Sequence, residues 1–428
     1  MQKTFSLMDL EDPEVQHAND ILKKCVHCGF CTATCPTYVL LGDELDSPRG
    51  RILLIKEMLQ KEGAPGPKVV KHIDRCLSCL SCVTTCPSGV NYMHLIDRAR
   101  KHIEHTFRRP FSHRILRWCL TTVLPNQKLF SLMVRIANIA RPISLVLPRN
   151  LSRLWNLIPQ TRTKSNDRPP IATPAYKLNS DKTVALLPGC VQRVLAPNID
   201  AATSRVLARH NCQTKIISGS GCCGALSYHM GKTNQAIEYA RANIDAWHRE
   251  LKVGNIESIV TNTSGCGTMI KDYGHIFRHD PYWAKKSALV SRHCLDVSQL
   301  LSSLQISPTM AKPATVTYHS ACSLQHGQKL HDEPKALLQK CGYNVVDVPE
   351  GHLCCGSAGT YNILQPKIAD QLLQRKLTNI AKTESDIVAA GNIGCITQLQ
   401  SGSDRPVVHT VELLDWATGG PKPAGIPD

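Results

Sequence analysis

The sequence predicts an α+β, multidomain protein: a helical N-terminal domain organised by cysteine, then two duplicated α/β lobes with parallel sheets. Three observations carry that prediction. Eight of the 20 cysteines fall in two runs of one spacing near the N-terminus. Beyond residue 180 a second pattern of cysteine and glycine occurs twice. Between the two lies a basic stretch, cut by prolines, with apolar residues at helical intervals.

The runs are Cys25-x2-Cys28-x2-Cys31-x3-Cys35-Pro36 and Cys76-x2-Cys79-x2-Cys82-x3-Cys86-Pro87. Two residues between cysteines let one short loop offer thiolates to three corners of an iron–sulfur cube. A fourth cysteine, three residues further on and stopped by proline, reaches the other cube. The spacing therefore implies two [4Fe–4S] clusters. Cys25, Cys28, Cys31 and Cys86 are expected to hold cluster 1, and Cys76, Cys79, Cys82 and Cys35 cluster 2. Structural zinc would need only paired C-x2-C and no Cys-Pro ending. Small neighbours such as Gly29, Thr32, Ser78 and Ser81 leave room for backbone N–H groups near sulfur, one of the levers on cluster potential. Residues 1–97 read as this domain. Within it, Ser47-Pro48 reads as an N-cap and first helical position, Ile52, Leu53, Ile55 and Leu59 as an apolar helix face, and Gly63–Pro67 as its end.

At 428 residues the chain is long enough for several cores. Its opening, MQKTFSLMDLEDPE, turns acidic after Lys3 and has no apolar centre, so no export signal is expected. Many cysteines without export read as thiols and metal ligands rather than disulfides. No run approaches 18 apolar residues, so no membrane span is expected. These readings imply a cytoplasmic chain, peripheral at the inner face of the cell membrane.

Residues 98–178 read as a basic helical linker. Residues 98–168 hold 15 Lys and Arg against Glu104 and Asp167, a balance of +13. Apolar residues recur at helical spacing, as in Leu129, Leu132, Met133, Ile136 and Ile139, and again in Leu151, Leu154 and Leu157. Pro125, Pro142 and Pro148 break the region into short helices. The stretch is either a solvated linker or a docking surface for an acidic partner or an anionic membrane. No base-reading or stacking motif accompanies it, which argues against nucleic acid. Ser165–Leu178, with Pro169-Pro170, reads as a flexible boundary.

The repeats cover 179–310 and 311–428. Cys190 and Cys322, Cys222 and Cys354, and Cys223 and Cys355 are each separated by 132 residues. Asn262–Cys266 is matched by Asn392–Cys395 at 129, and His293–Asp296 by His409–Glu412 at 116. Offsets this constant imply duplication of one unit. Alternation of β-branched runs with helical stretches implies two parallel-sheet lobes related by a pseudo-two-fold axis. Each unit offers four thiols: Cys190, Cys222, Cys223 and Cys266, and Cys322, Cys354, Cys355 and Cys395. They lie at strand ends, where α/β sheets gather functional loops. A further iron–sulfur centre, a dithiol site, or part of a quinone or acceptor pocket are the functional readings. The alternative is buried small side chains lining the seam between lobes. His229, His319, His326 and His352 lie near these turns, but lone histidines are common in cores and on surfaces, so none is assigned. Cys119, Cys212, Cys294 and Cys341 lack repeat partners and read as structural. No G-x-G-x-x-G opens a βαβ unit, so FAD and NAD are not expected on this chain. An electron relay, a stand-alone dithiol/disulfide or quinone reductase, and a metal-stabilised assembly module are the three functional classes these features allow.

Cys25-Val-His-Cys-Gly-Phe-Cys-Thr-Ala-Thr-Cys-Pro-Thr-Tyr38, continuing through Leu41-Gly-Asp-Glu-Leu-Asp-Ser-Pro-Arg-Gly-Arg51, resembles the iron–sulfur subunits of bacterial glycolate oxidase (glycolate dehydrogenase). Asp74-Arg-Cys-Leu-Ser-Cys79 and the two cysteine–cysteine–glycine units extend the resemblance along nearly the whole chain. It implies a hetero-oligomer with flavin-type subunits. FAD on a partner would oxidise glycolate to glyoxylate, and this chain would relay electrons toward membrane quinone. Related complexes for lactate or glycerol-3-phosphate fit the same pattern. The cysteine–cysteine–glycine units are similar also to those of heterodisulfide reductase, succinate:quinone reductase and anaerobic glycerol-3-phosphate dehydrogenase subunits. The fullest form of that motif ends in C-x2-C, whereas this chain has Cys266-Gly-Thr-Met269 and Cys395-Ile-Thr-Gln398. The resemblance therefore does not carry over a disulfide-reducing, non-cubane cluster. Four thiols per unit still suffice for one ordinary metal centre.

Overall fold

The first lobe holds β1 Lys182–Leu187, β2 Cys212–Lys215, β3 Ser258–Thr261 and β4 Cys294–Asp296. The second holds β5 Thr315–His319, β6 Asn344–Asp347, β7 Ile387–Ala390 and β8 Val407–His409. In this computed structural model, which describes residues 5, 11–61, 63–140, 182–309 and 314–427, every strand pairs in parallel. The orders are β2-β1-β3-β4 and β6-β5-β7-β8. The inner strands β3 and β7 are buried along their whole length, because crossover helices cover both faces of such a sheet. Pro142, Pro148, Leu151, Leu154, Leu157 and the Ser165–Leu178 boundary lie outside the described residues.

Duplication is therefore structural as well as sequential. One pairing read from sequence needs correction, that of His293 with His409. Asp296 and His409 are each the final residue of a lobe's last strand and the N-cap of the helix that follows, and their capping boxes are closed by Gln299 and Glu412. Asp296 is thus the counterpart of His409. The fold repeats the cap, which ends the strand and starts the helix, and not the histidine.

The lobes pack reciprocally. Helix Pro197–Arg209 lies against helix Thr410–Ala417, and helix Val297–Ser303 against helix Glu333–Lys340. Exchange of equivalent partners is what a pseudo-two-fold relation produces. Arg205 Nη2 reaches Asp415 Oδ2 at 2.6 Å, and Arg209 binds the other carboxylate oxygen. One apolar core runs through both lobes, from Val184 and Val206 to Val316, Leu338 and Val388. Along the seam the Ser264 and Ser323 hydroxyls meet at 2.7 Å, and Gln328 Nε2 donates to the Ser264 carbonyl at 3.0 Å.

Helices Pro13–Lys23, Pro48–Gln60, Pro67–Asp74 and Tyr92–Thr106 enclose the N-terminal core of Ile55, Ile73, Leu95 and Ile96. Ser47 caps the second of these through the Gly50 N–H, with Pro48 at the first position. Residue 97, expected as a boundary, falls inside helix Tyr92–Thr106. The N-terminal unit runs on into the basic stretch through two buried arginines. Arg109 forms a fork onto Asp74 at 2.6 and 3.0 Å, and Arg117 donates to Glu104 and to the Met230 carbonyl. These two belong to internal joints, while Arg108 and Arg114 are exposed. Helix Gln127–Ile139, set off by Pro125 as expected, buries no residue. Among the described residues no helix is long and apolar enough to cross a membrane.

Candidate metal centres

Cys25, Cys28 and Cys31 line one open cleft, and Cys86 and Cys82 of the second run join them there. Gly29 turns this loop in the left-handed region at φ +88°, and a Cβ at that place would lie 2.6 Å from Arg49 Nη1. The left-handed φ is what calls for glycine there, since the Arg49 guanidinium ends a flexible side chain that could give way. Cys28 is exposed, and Val26 and Phe30 beside it are 69% and 64% exposed. This end of the molecule opens to solvent.

Cys35, Cys76, Cys79 and Cys82 are all buried. Cys35 and Cys76 lie beside Arg51, which is buried completely. Its guanidinium donates to the His72 carbonyl at 2.7 Å and Thr37 Oγ1 at 3.0 Å, pairs with Asp46 at 3.2 Å, and lies 3.8 Å from Cys35 Sγ. Tyr92 reaches Cys76 Sγ at 3.8 Å, and Arg100 donates to the Cys76 carbonyl at 2.6 Å. The run Asp46–Arg51 thus has a physical basis. Asp46 neutralises Arg51, Ser47 and Pro48 start the helix, and a side chain on Gly50 would meet the Glu44 carbonyl at 2.0 Å. The role of Arg51 was not drawn from the sequence, because its partners come together only in the fold.

The C-terminal thiols also converge. Cys190 and Cys222 bring their sulfurs to 3.8 Å, and Cys223 lies within electrostatic reach of Cys222 and Cys266. In the second lobe Cys322 and Cys354 stand at 3.9 Å, and the Cys355 and Cys395 sulfurs lie within 4.8 Å of one another. Glycine makes this close turn possible. Gly224 and Gly356 have φ +85° and +92°, and a Cβ on either would lie 2.9 or 2.5 Å from the Ala236 or Ala369 carbonyl. Both sets flank the seam: Cys266 lies on the helix that meets Ser323, the residue after Cys322.

The two sets differ in surroundings. Cys190, Cys222 and Cys266 are partly accessible, whereas Cys354, Cys355 and Cys395 are buried. The cover over the second set comes from the N-terminal domain, whose Leu77 and Cys79 pack with Cys354, Cys322 and Tyr361. Lys376, also fully buried, lies within charge reach of Cys354, Cys355 and Cys395. Its counterpart in the first lobe is Asn243, since each stands seven residues beyond the equivalent alanines Ala369 and Ala236.

Chemistry decides what such donor sets fit. Burial, and then neighbouring sulfur, pushes the Cys79 and Cys82 thiols well up. In the first lobe the close approach of sulfur to sulfur drives the Cys190 and Cys223 thiols well up and Cys222 well down. Four sulfurs this close ionise together only around a cation, and a thiophilic metal is the cation suited to them. The N-terminal residues fit iron–sulfur clusters on that ground.

Comparison with known proteins agrees. A 4Fe-4S dicluster domain model matches residues 21–90, and a cysteine-rich domain model matches twice, at 184–271 and 316–400. The glycolate oxidase iron-sulfur subunit of Escherichia coli (strain K12) is 40% identical over 401 residues, covering 94% of this chain and 95% of the relative. The chain belongs to the family of glycolate oxidase iron–sulfur subunits. A probable family member in Bacillus subtilis (strain 168) is 30% identical, covering 93% of this chain and 94% of its own length. Lactate utilization protein A of Oceanobacillus iheyensis is 27% identical, over 54% of this chain and 96% of the relative. Membership makes the chain an iron–sulfur subunit of a multi-subunit oxidoreductase, with two [4Fe–4S] clusters in its N-terminal domain.

Proposed function

We propose that this chain relays electrons from an FAD-bearing partner subunit that oxidises glycolate to glyoxylate, and passes them toward a quinone-type acceptor at the inner face of the membrane. Cys25, Cys28, Cys31 and Cys86 hold cluster 1 in this reading, and Cys35, Cys76, Cys79 and Cys82 hold cluster 2. One observation carries it: sulfur is continuous from the solvent-facing cleft at Cys28, through the buried second set, to Cys79 packed against Cys322 and Cys354. An electron carrier needs such closely spaced stations with one end accessible and the rest shielded from water.

Oxidation of glycolate releases two electrons and two protons, which reduce the partner's FAD. Bound clusters supply one-electron transfer, so the pair leaves the flavin singly and reduces quinone to quinol with uptake of two protons. The protein's own residues hold the stations at fixed separation, exclude water around Cys79 and Cys82, and place Arg51 where it stabilises negative charge at Cys35 sulfur. The family match supports the partner and substrate.

Anaerobic addition of glycolate to the purified native complex tests this. Reduction of both clusters, reversed by a soluble quinone, is expected. Clusters that respond only to lactate would move the chain to the related complex suggested by its similarity to lactate utilization protein A. Clusters that respond to neither would reject the relay.

A further inference from the structure

His319 ends β5, three residues before Cys322. It is 1% exposed, and neither of its ring nitrogens has a hydrogen-bond partner in the protein. One of those nitrogens and the sulfurs of Cys355 and Cys395 all lie within 4.8 Å of one another. A buried imidazole with both nitrogens unsatisfied is rare, and when it stands among thiols a metal is the group that would use its lone pair.

Duplication supplies an internal control. Position 319 corresponds to position 187 at the offset of 132, and residue 187 is leucine. Leu187 is buried at the end of β1 as His319 is at the end of β5. Shape and packing at this strand end are therefore met by a hydrocarbon in one lobe, so histidine in the other answers a chemical need. Lys376, where the first lobe has Asn243, adds a cation that favours ionised sulfur on the same side.

We propose that His319 is a nitrogen ligand, with Cys355 and Cys395, of a metal centre confined to the second lobe; this rests on reading the C-terminal cysteines as a centre and not on the identity of the oxidised substrate. Mixed sulfur–nitrogen donors select iron or zinc. Cys354, next to Cys355 in the chain, packs with Cys79; this favours iron, because a redox-active metal there extends the relay. An imidazole in place of a thiolate also reduces negative charge and raises the potential of an iron–sulfur centre. The two lobes are then unequal: the first presents four thiols and no histidine, the second a buried mixed site.

The test uses the full chain, isolated anaerobically with its partners. Iron and zinc are counted, X-ray absorption is recorded at both edges, and ¹⁴N coupling is read by pulsed EPR. Wild type should hold metal beyond the roughly eight irons of two cubes, with a nitrogen ligand. His319→Leu, which copies the first lobe, should lose that metal to a chelator. His319→Cys should keep metal while losing the nitrogen signature, and serves if the leucine variant does not fold. Iron or zinc at the site would each support it, iron as a redox station and zinc as a closed structural one. No metal beyond the two cubes in wild type, or an unchanged nitrogen signature in either variant, would overturn it. Glycolate-dependent reduction of the N-terminal clusters, followed in the same samples, reports on the relay separately.

Discussion

Tyr361 donates its phenol to the Arg75 carbonyl at 2.9 Å. A residue six positions after Cys355 thereby grips the chain immediately before Cys76. Around it Leu77, Cys79, Ile368 and Leu372 close an apolar joint between the N-terminal domain and the second lobe. Replacing Tyr361 by Phe should leave the Arg75 carbonyl unsatisfied, at a cost of about 1–2 kcal/mol. A melting point lower by a few degrees, with iron content unchanged, is the expected result of thermal denaturation.

Cys35 follows the first three cysteines in sequence but lies with the second set. Cys35→Ser should therefore alter the EPR signal of the cluster associated with Cys76, Cys79 and Cys82, and leave that of the cleft intact. Loss of the cleft signal instead would reject the crossed assignment.

Arg51→Met removes a buried cation next to Cys35 and Cys76. Breaking a buried pair costs about 3–5 kcal/mol when the partner is stranded. Asp46 keeps His72 and Arg75 at 3.0 and 2.7 Å, so the lower part of that range applies. The cluster it adjoins should also titrate at lower potential, because one positive charge is gone, while the cleft cluster holds its value. An EPR-monitored redox titration separates the two, and Arg51→Lys should restore part of the potential without the fork of hydrogen bonds.

Charge reversal in the basic stretch should divide by burial. Arg109→Glu and Arg117→Glu break internal joints and should lower the melting point sharply. Arg108→Glu and Arg114→Glu should leave it unchanged but weaken binding to partner subunits or anionic vesicles, with the difference largest at low salt. Equal association for all four variants would make the exposed face a solvated linker.

His275 stacks on His94 with centroids 3.5 Å apart, where the first lobe meets the N-terminal domain. Burial, with His94, Arg278, His17 and His279 nearby, lowers its pKa to about 2. Asp272 faces the same cluster and binds His94 Nε2 at 2.9 Å. The ordinary value near 6.5 is the higher one. Below about pH 6.5 the unfolded chain thus takes up a proton that the native state refuses, and stability falls with pH. Melting temperatures between pH 7.5 and 5.5 should decline less steeply in His275→Gln than in wild type.

Features that depend on short spacing were legible in the sequence. Two cysteine runs announce two clusters because three ligands come from one loop, and a constant offset announces two lobes. What arises from distant residues meeting was not legible. Arg109 and Arg117 entered the sequence only as part of a charge balance, which cannot say that one finds Asp74 and the other Met230. His319 was set aside as a lone histidine, although its signal was present: a histidine standing where the twin strand has Leu187. The match of His293 to His409 followed letters where the fold repeats a helix cap.

Burial of Cys79 beneath the last lobe also fixes an order of events in the cell. Its cover is made of residues 354–372, which leave the ribosome some 15–55 s after it at about 5–20 residues per second. For that interval the second cysteine run stands open to the machinery that delivers iron and sulfide. Once the lobe docks, Cys79 is closed to a bulky donor.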